Sequence, residues 1–184
     1  MMPNSTAIFT SERLAFRPWQ QSDLDAMAAI NANPKVMAHF PDTQNKTQTQ
    51  GFIDRMQEEY RLKGHCYFAV ELIKTNEFIG FIGLSTQTYA ASFTPCIDIG
   101  WRLDEKHWNN GYAQEGAKRC LAFGFDTLKL VDIYAICPKS NKASEHVMKR
   151  IGMTFYTNFK HPLLESSPHL QDCFVYKSSN PLNI

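Results

Sequence analysis

The stretch Asp98-Ile-Gly-Trp-Arg-Leu-Asp-Glu-Lys-His-Trp-Asn-Asn-Gly-Tyr-Ala-Gln-Glu-Gly116 is the part of the chain best suited to chemistry. An apolar, strand-like run enters a short polar turn and leaves as a helix beginning near Gly111. The N–H groups of a helix's first turn lack internal partners, and the helix dipole adds partial positive charge at the same place. Such a turn holds a phosphate or pyrophosphate with little help from basic side chains. Gly111 and Ala113 keep the approach uncrowded.

Charge makes local geometry the only available anion receptor. The formal net charge is +1, and Lys118-Arg119 and Lys149-Arg150 fall inside helical patterns rather than in a basic run. There is no electrostatic footprint for nucleic acid. At 184 residues, 43% hydrophobic and 20% charged, the chain reads as one domain over 1–184 with a single core. Met1 to Thr6 carry no basic region followed by an apolar segment, and no window is long enough to span a membrane, so the expectation is a soluble cytoplasmic protein, monomer or homodimer, without membrane or nucleic-acid partners. Cys66, Cys96, Cys120, Cys137 and Cys173 are scattered, with no C-x-x-C and no histidines at ligand spacing. Reduced, mostly buried thiols and no metal are expected.

The elements that must position the turn follow from periodicity. Residues 13–17 alternate as a half-buried strand before Pro18, and Ser22 with Asp25 resembles a capping box for a helix that stops at Pro34. Residues 35–40 read as a short helical turn and 41–50 as a polar stretch. Phe52, Ile53, Met56 and Tyr60 recur at helical spacing, with Gly64 closing that segment. Residues 66–73 and 78–84 form a hairpin, 85–95 a loop, and 96–103 a third strand. A helix then runs from Gly111 to about Leu128, a strand from Val131 to Cys137, a helix from Ser140 to Arg150, and a final strand pair over 153–160 and 170–177. The order β-α-α-β-β-β-α-β-α-β-β is an α/β (α+β) architecture, with helices flanking a mixed, partly antiparallel central sheet.

Ile99-Gly-Trp-Arg-Leu-Asp104, Trp108-Asn-Asn-Gly-Tyr-Ala-Gln-Glu115, Asn141-Lys-Ala-Ser144 and Ile151-Gly-Met153, in that order, resemble the GNAT superfamily of acetyl-CoA-dependent N-acetyltransferases. Thr10-Ser-Glu-Arg-Leu14, Phe16-Arg-Pro-Trp19 and Asp23 resemble the opening of its RimJ/RimL-type branch, which acetylates protein N-termini. The likeness covers residues 10–177. The family's Gln/Arg-x-x-Gly-x-Gly/Ala signature falls on Trp108, Asn109, Asn110, Gly111, Tyr112 and Ala113, with Trp108 in the basic or amide position and Asn109 where glycine is frequent. The resemblance implies that this turn holds the acetyl-CoA pyrophosphate. It implies that Trp101, Arg102 and Leu103 lend backbone groups to the pantetheine arm, that Asn141 supports the arm, and that the two strands involved splay apart.

Acyl transfer to an amine needs a neutral nucleophile, stabilisation of an oxyanion and a fate for the thiolate. An N-terminal amine, with a pKa of about 8, is partly neutral near pH 7, whereas a lysine amine near about 10.4 is almost wholly protonated. Asp98 occupies the position where the branch carries an acidic residue facing the acceptor, which implies a general base acting directly or through water; strand pattern alone favours a surface carboxylate, and the resemblance brings the two readings level. The family's thiolate-protonating tyrosine is matched here by Met148, so the branch's serine, Ser144, is the implied donor, against the plainer reading of a residue capping its helix. A strand N–H near Trp101 to Leu103 would meet the oxyanion.

Glu115 could touch substrate, but the helix dipole alone explains an acid there, and His107, His146 and His161 have no partner at informative spacing and read as exposed polar residues. Tyr67, Phe68 and Phe81 read as core, while Trp19, Phe40 and Tyr89 are acceptor-groove candidates by analogy. The expected acceptor is a protein N-terminus, possible targets including a ribosomal protein. Small amines such as polyamines, amino acids or aminoglycosides, and a silent acyl-CoA-binding protein, are the alternatives, and Asp98 and Asp104 are too few acids to demand a polycation.

Overall fold

A computed structural model describes residues 7–180; the leader-free pattern read in residues 1–6 lies outside the described part. Eight strands form one sheet: β1 (Phe9–Thr10), β2 (Leu14–Arg17), β3 (Tyr67–Leu72), β4 (Glu77–Gln87), β5 (Cys96–Leu103), β6 (Asp132–Pro138), β7 (Thr154–Lys160) and β8 (Asp172–Ser179). Their spatial order is β1-β2-β3-β4-β5-β6-β8-β7. Every neighbouring pair is antiparallel except β5 with β6. The helices are α1 (Asp23–Ala32), α2 (Lys46–Lys63), α3 (Tyr112–Ala122, continued by a π-helical turn to Thr127), α4 (Lys142–Arg150) and the short α5 (Pro168–Gln171). No described helix is long and apolar enough to cross a membrane.

The two sheet faces are told apart by neighbouring residues of β4, whose side chains must point oppositely. Phe81 packs against Phe52 of α2 with ring centroids 5.2 Å apart, so α2 covers that face. A side chain added at Gly116 of α3 would strike Ile82 Cδ1 at 2.3 Å, so α3 lies tight on the other face. Arg102, Gly100 and Asp98 of β5 stand opposite Phe81, Gly83 and Ser85 in the β4 register, and therefore share the α2 face. Leu14, Phe16, Phe68, Ile79, Ile82, Leu84 and Ile133 fill the core, and all five cysteines are free and buried.

Several boundaries depart from the sequence expectation for identifiable reasons. Helix α2 starts at Lys46, inside the segment read as polar loop, because Asn45 and Gln48 form the capping box: Gln48 N–H donates to Asn45 Oδ1 at 2.9 Å and Asn45 N–H to Gln48 Oε1 at 2.8 Å. The box expected at Ser22 and Asp25 does not form; Ser22 has helical dihedrals and no side-chain cap, and Asp25 pairs with Lys46. Residues 35–40 keep to the expected short helical turn, with Met37 N–H donating to the Asn33 carbonyl at 3.0 Å, but β4 runs to Gln87, into the expected loop. Phe9–Thr10 adds an unexpected edge strand, held by Phe9 stacking on Phe16 and Phe123 at 4.5 Å each.

Candidate active site

Strands β5 and β6 pair only where Asp98 meets Tyr134, near the start of each. Beyond that point they part, and α3 and α4 begin from the two open ends. The parting leaves a cavity of about 790 Å³, lined by residues 98–103 of β5, 136–138 of β6, the turn before α3 and the first two turns of α4. On the α2 side its wall continues through Lys35, Val36, His39, Phe40, Phe52, Tyr67 and Phe81. Of the expected site residues, Asp98, Trp101, Arg102, Leu103, Asn109, Gly111, Tyr112, Ala113, Asn141 and Ser144 all line this space. Asn110 does not: it is exposed, and its Nδ2 is spent on the carbonyls of His107 and Trp108.

The turn before α3 is built by two left-handed residues, Asn109 at φ 61° and Gly111 at φ 78°. Asparagine is among the few residues that visit this region readily, so Asn109 serves where a glycine would. Trp108 braces the turn by donating Nε1–H to the Leu103 carbonyl at 3.0 Å. The cation that the signature position lacks arrives from far away in sequence. Arg13 Nη2 lies 3.5 Å from where a Gly111 Cβ would be, and the Arg13 guanidinium stacks on Tyr112 at 4.5 Å. Glu115 holds it there, accepting from Ser11 Oγ at 2.6 Å, Arg13 N–H at 2.7 Å and Arg13 Nε at 2.6 Å. Glu115 is thus a clamp between β2 and α3, and Arg13 is a residue of the turn that local sequence reasoning missed.

Asp98 is no surface carboxylate. Tyr67 Oη donates to its Oδ1 at 2.6 Å and Gln87 Nε2 at 3.0 Å, while Oδ2 accepts no bond among the described residues. Burial disfavours the charged form and outweighs both hydrogen bonds, pushing the carboxyl up to about 7. Burial also raises the Tyr67 phenol, with the Asp98 carboxylate adding to the effect. The correction of Tyr67 from core to cavity has a sequence signal. Tyr67, Gly83 and Gly100 are cross-strand neighbours. Gly100 leaves room for the ring, since a Cβ there would meet Tyr67 Cε1 at 2.9 Å, while Gly83 lets the β3 backbone come close, since its Cβ would lie 2.2 Å from the Cys66 carbonyl oxygen.

At the head of α4, Asn141 Oδ1 accepts from Ser144 N–H at 3.1 Å, so Asn141 is the cap. Ser144 Oγ makes no hydrogen bond among the described residues, faces the cavity, and does not cap. Met148, one turn further, is 1% exposed and lines the same space. His107 and His146 reach the cavity too, but His107 Nε2 meets Glu77 at 3.2 Å and His146 accepts from Arg150 at 3.1 Å. His161 and Tyr89 do not line the cavity; their rings lie 4.4 Å apart in a cluster beside β7, with Tyr89 near enough for the Asp98 carboxylate to help raise its phenol. Tyr89 therefore does not line the groove, and neither does Trp19, which is buried and donates to the Tyr67 carbonyl at 2.6 Å. Phe40 lines it, and Phe81 is core, as Phe68 is, while also forming part of the cavity wall. Asp104 caps the turn that follows β5.

Comparison with known proteins agrees with this architecture. A profile of the acetyltransferase (GNAT) domain matches residues 13–154. YnaD of Bacillus subtilis strain 168, an uncharacterised N-acetyltransferase, is 30% identical over 145 residues, covering 78% of this chain and 81% of its own. The crystal structure of a GNAT-family acetyltransferase from Bacillus anthracis superposes with a TM-score of 0.79 at 27% identity, covering 93% of this chain and 97% of its own. RimL, a ribosomal L7/L12 alpha-N-protein acetyltransferase solved in complex with coenzyme A, shares the fold at 16% identity, with a TM-score of 0.75 over 94% of this chain and 97% of that one. With its parted parallel strands and matching domain, the chain belongs to the GNAT family and is an acetyltransferase.

Proposed function

We propose that this acetyltransferase uses acetyl-CoA to acetylate a primary amine by direct attack, that it belongs to the RimJ/RimL-like branch, and that its acceptor amine is a protein or peptide N-terminus. The single observation that carries the reading is the parting of β5 from β6 beyond Asp98 and Tyr134, with an anion-holding turn at one end and a carboxyl poised near neutrality at the other. RimL supports the branch assignment by fold, and its bound coenzyme A supports the cosubstrate.

The described residues fit the coenzyme. Gly111 is in the left-handed conformation that favours glycine, the first residues of α3 line the cavity, and Arg13, paired with Glu115 through Nε, brings its Nη2 beside Gly111. Residues 109–113 and Arg13 would hold the pyrophosphate, and the backbone of Trp101 to Leu103 with the Asn141 side chain would line the pantetheine arm. When bound, acetyl-CoA supplies an acyl group activated as a thioester.

Asp98 would take the proton of the attacking amine on Oδ2, directly or through one water, while Tyr67 and Gln87 fix its Oδ1. An α-amine near pKa 8 needs only such a weak base. A strand N–H from Trp101 to Leu103 would stabilise the developing oxyanion. The Ser144 hydroxyl, free of other partners, would donate a hydrogen bond to the departing sulfur. Calorimetric titration with acetyl-CoA and a thiol-release assay with peptide amines test the proposal together. Binding with acceptor-dependent thiol release is expected, and absence of acetyl-CoA binding would overturn it.

A further inference from the structure

Arg102 is 9% exposed and has no carboxylate partner among the described residues. Its guanidinium lies between the rings of Phe40, 4.1 Å away, and Phe81, 5.4 Å away. Nη1 donates to Asn31 Oδ1 at 2.6 Å, and Asn31 is itself fixed by donating to Thr49 Oγ1 at 3.0 Å. Among the described residues, Nε is buried without a hydrogen-bond partner and no hydrogen bond of Nη2 accompanies that of Nη1. Burial lowers the group to about 10, so it remains a cation at neutral pH. A buried, charged donor edge without an acceptor is costly unless a ligand completes it.

The turn before α3 is not placed to complete it. The anion-holding turn belongs to α3, on the opposite face of the sheet, whereas the Arg102 side chain shares the α2 face with Asp98. Asp98, the only carboxylate among the described residues lining the cavity, forms no ion pair with Arg102 and sits four residues back, about 13 Å along the strand. Lys35, the nearest other cation on that wall, is already paired with Glu105 at 2.7 Å. One cation with a free Nε–Nη2 edge matches the two oxygens of a carboxylate; a doubly charged phosphate would want more positive charge.

Resting on the transferase reading above, we propose that the acceptor amine belongs to a molecule that also carries a carboxylate, and that Arg102 binds this carboxylate through Nε and Nη2 while the amine lies at Asp98. The strand spacing separates the two groups by several bonds. An acidic side chain just inside a peptide N-terminus, or the far end of a small amino acid with a long chain, has that reach.

The test is thiol release with acid and carboxamide pairs: the peptide amides Ala-Asp-Ala and Ala-Asn-Ala, and 5-aminovalerate with 5-aminovaleramide. Thermal shifts with the same compounds in saturating coenzyme A report binding where turnover is slow. Wild-type protein is expected to prefer the acid of at least one pair by about 10-fold or more in kcat/KM, mostly through KM. In Arg102→Gln that preference should collapse to about 1, and Arg102→Lys should restore part of it. Whichever pair discriminates identifies the source of the carboxylate. Acid and carboxamide treated alike by wild-type protein, a preference surviving in Arg102→Gln, or an acid set neither turned over nor bound would each overturn the inference. Acetyl-CoA titrations of both proteins separate the two failures. If the coenzyme binds while acids show no advantage, the carboxylate alone is refuted; if it does not bind, the transferase reading falls first.

Discussion

Arg17 and Arg102 are both buried, at 3% and 9% exposure, and both stand on the α2 face of the sheet, yet their surroundings differ in kind. Arg17 is closed off: Nη1 and Nη2 donate to Asp23 at 2.7 Å each, and Nε to Glu71 at 2.6 Å. Burial lowers its pKa, and the two carboxylates more than reverse that, leaving the net shift upward. Arg102 has one amide, two rings and an open edge. The same contrast separates two carboxylates on this face, since buried Asp23 receives two guanidinium bonds and the Gln20 N–H, whereas half-buried Asp98 receives two neutral donors and keeps Oδ2 free. Where a buried charge is fully answered by the chain it ties elements together; where it is left half-answered beside a cavity, the missing partner is a ligand or a proton.

Breaking the closed region should cost the most in folding. Arg17→Met strands Asp23 and Glu71 without their cation and is expected to lose about 3–5 kcal/mol in denaturant unfolding. Asp98→Asn inverts this pattern. It should lower kcat/KM by roughly 10²–10⁴-fold without loss of stability at pH 8. The sign follows from linkage: the folded-state pKa of Asp98, about 7, lies above the unfolded value, so wild-type stability falls as pH rises from about 4 to 7. Asp98→Asn should therefore melt higher than wild type at pH 8 and nearly level with it at pH 4. A melting temperature lower at pH 8 would place Asp98 with Asp23, as a structural carboxylate.

Gly111→Val sharpens the comparison on the other face. A β-branched residue at φ 78° strains the turn. The acetyl-CoA dissociation constant should rise by about 10-fold or more by calorimetry, with little change for Arg17-type stability markers. Ser144→Ala should have the smallest effect, under about 10-fold in kcat, because a coenzyme A thiolate leaves tolerably without help and Asn141, not Ser144, caps α4.

The turn at Asn109 to Gly111 and the sheet's strand pattern were legible because they depend on local residue types: φ-permissive residues, apolar alternation, a helix start. The missed features are long-range. Nothing near Gly111 in sequence announces Arg13, about a hundred residues away, and the Glu115 clamp that places it looks locally like a dipole effect. Asp98 reads by pattern as a surface carboxylate until β3 and β4 bring Tyr67 and Gln87 onto it and leave it half-buried. Gly100 leaves the space that a ring fills there, but only the register of three strands says which ring. The α2 start was a plainer omission, since Asn45 and Gln48 have capping-box spacing in the sequence.

The pH dependence of kcat/KM, measured by thiol release on wild-type protein with a peptide acceptor whose own amine titrates well above 8, tests the role of Asp98 most directly. A rising limb with its midpoint near 7, absent from the residual activity of Asp98→Asn, is the predicted result. The same limb persisting in Asp98→Asn, or a profile that follows only the acceptor's pKa, would contradict it.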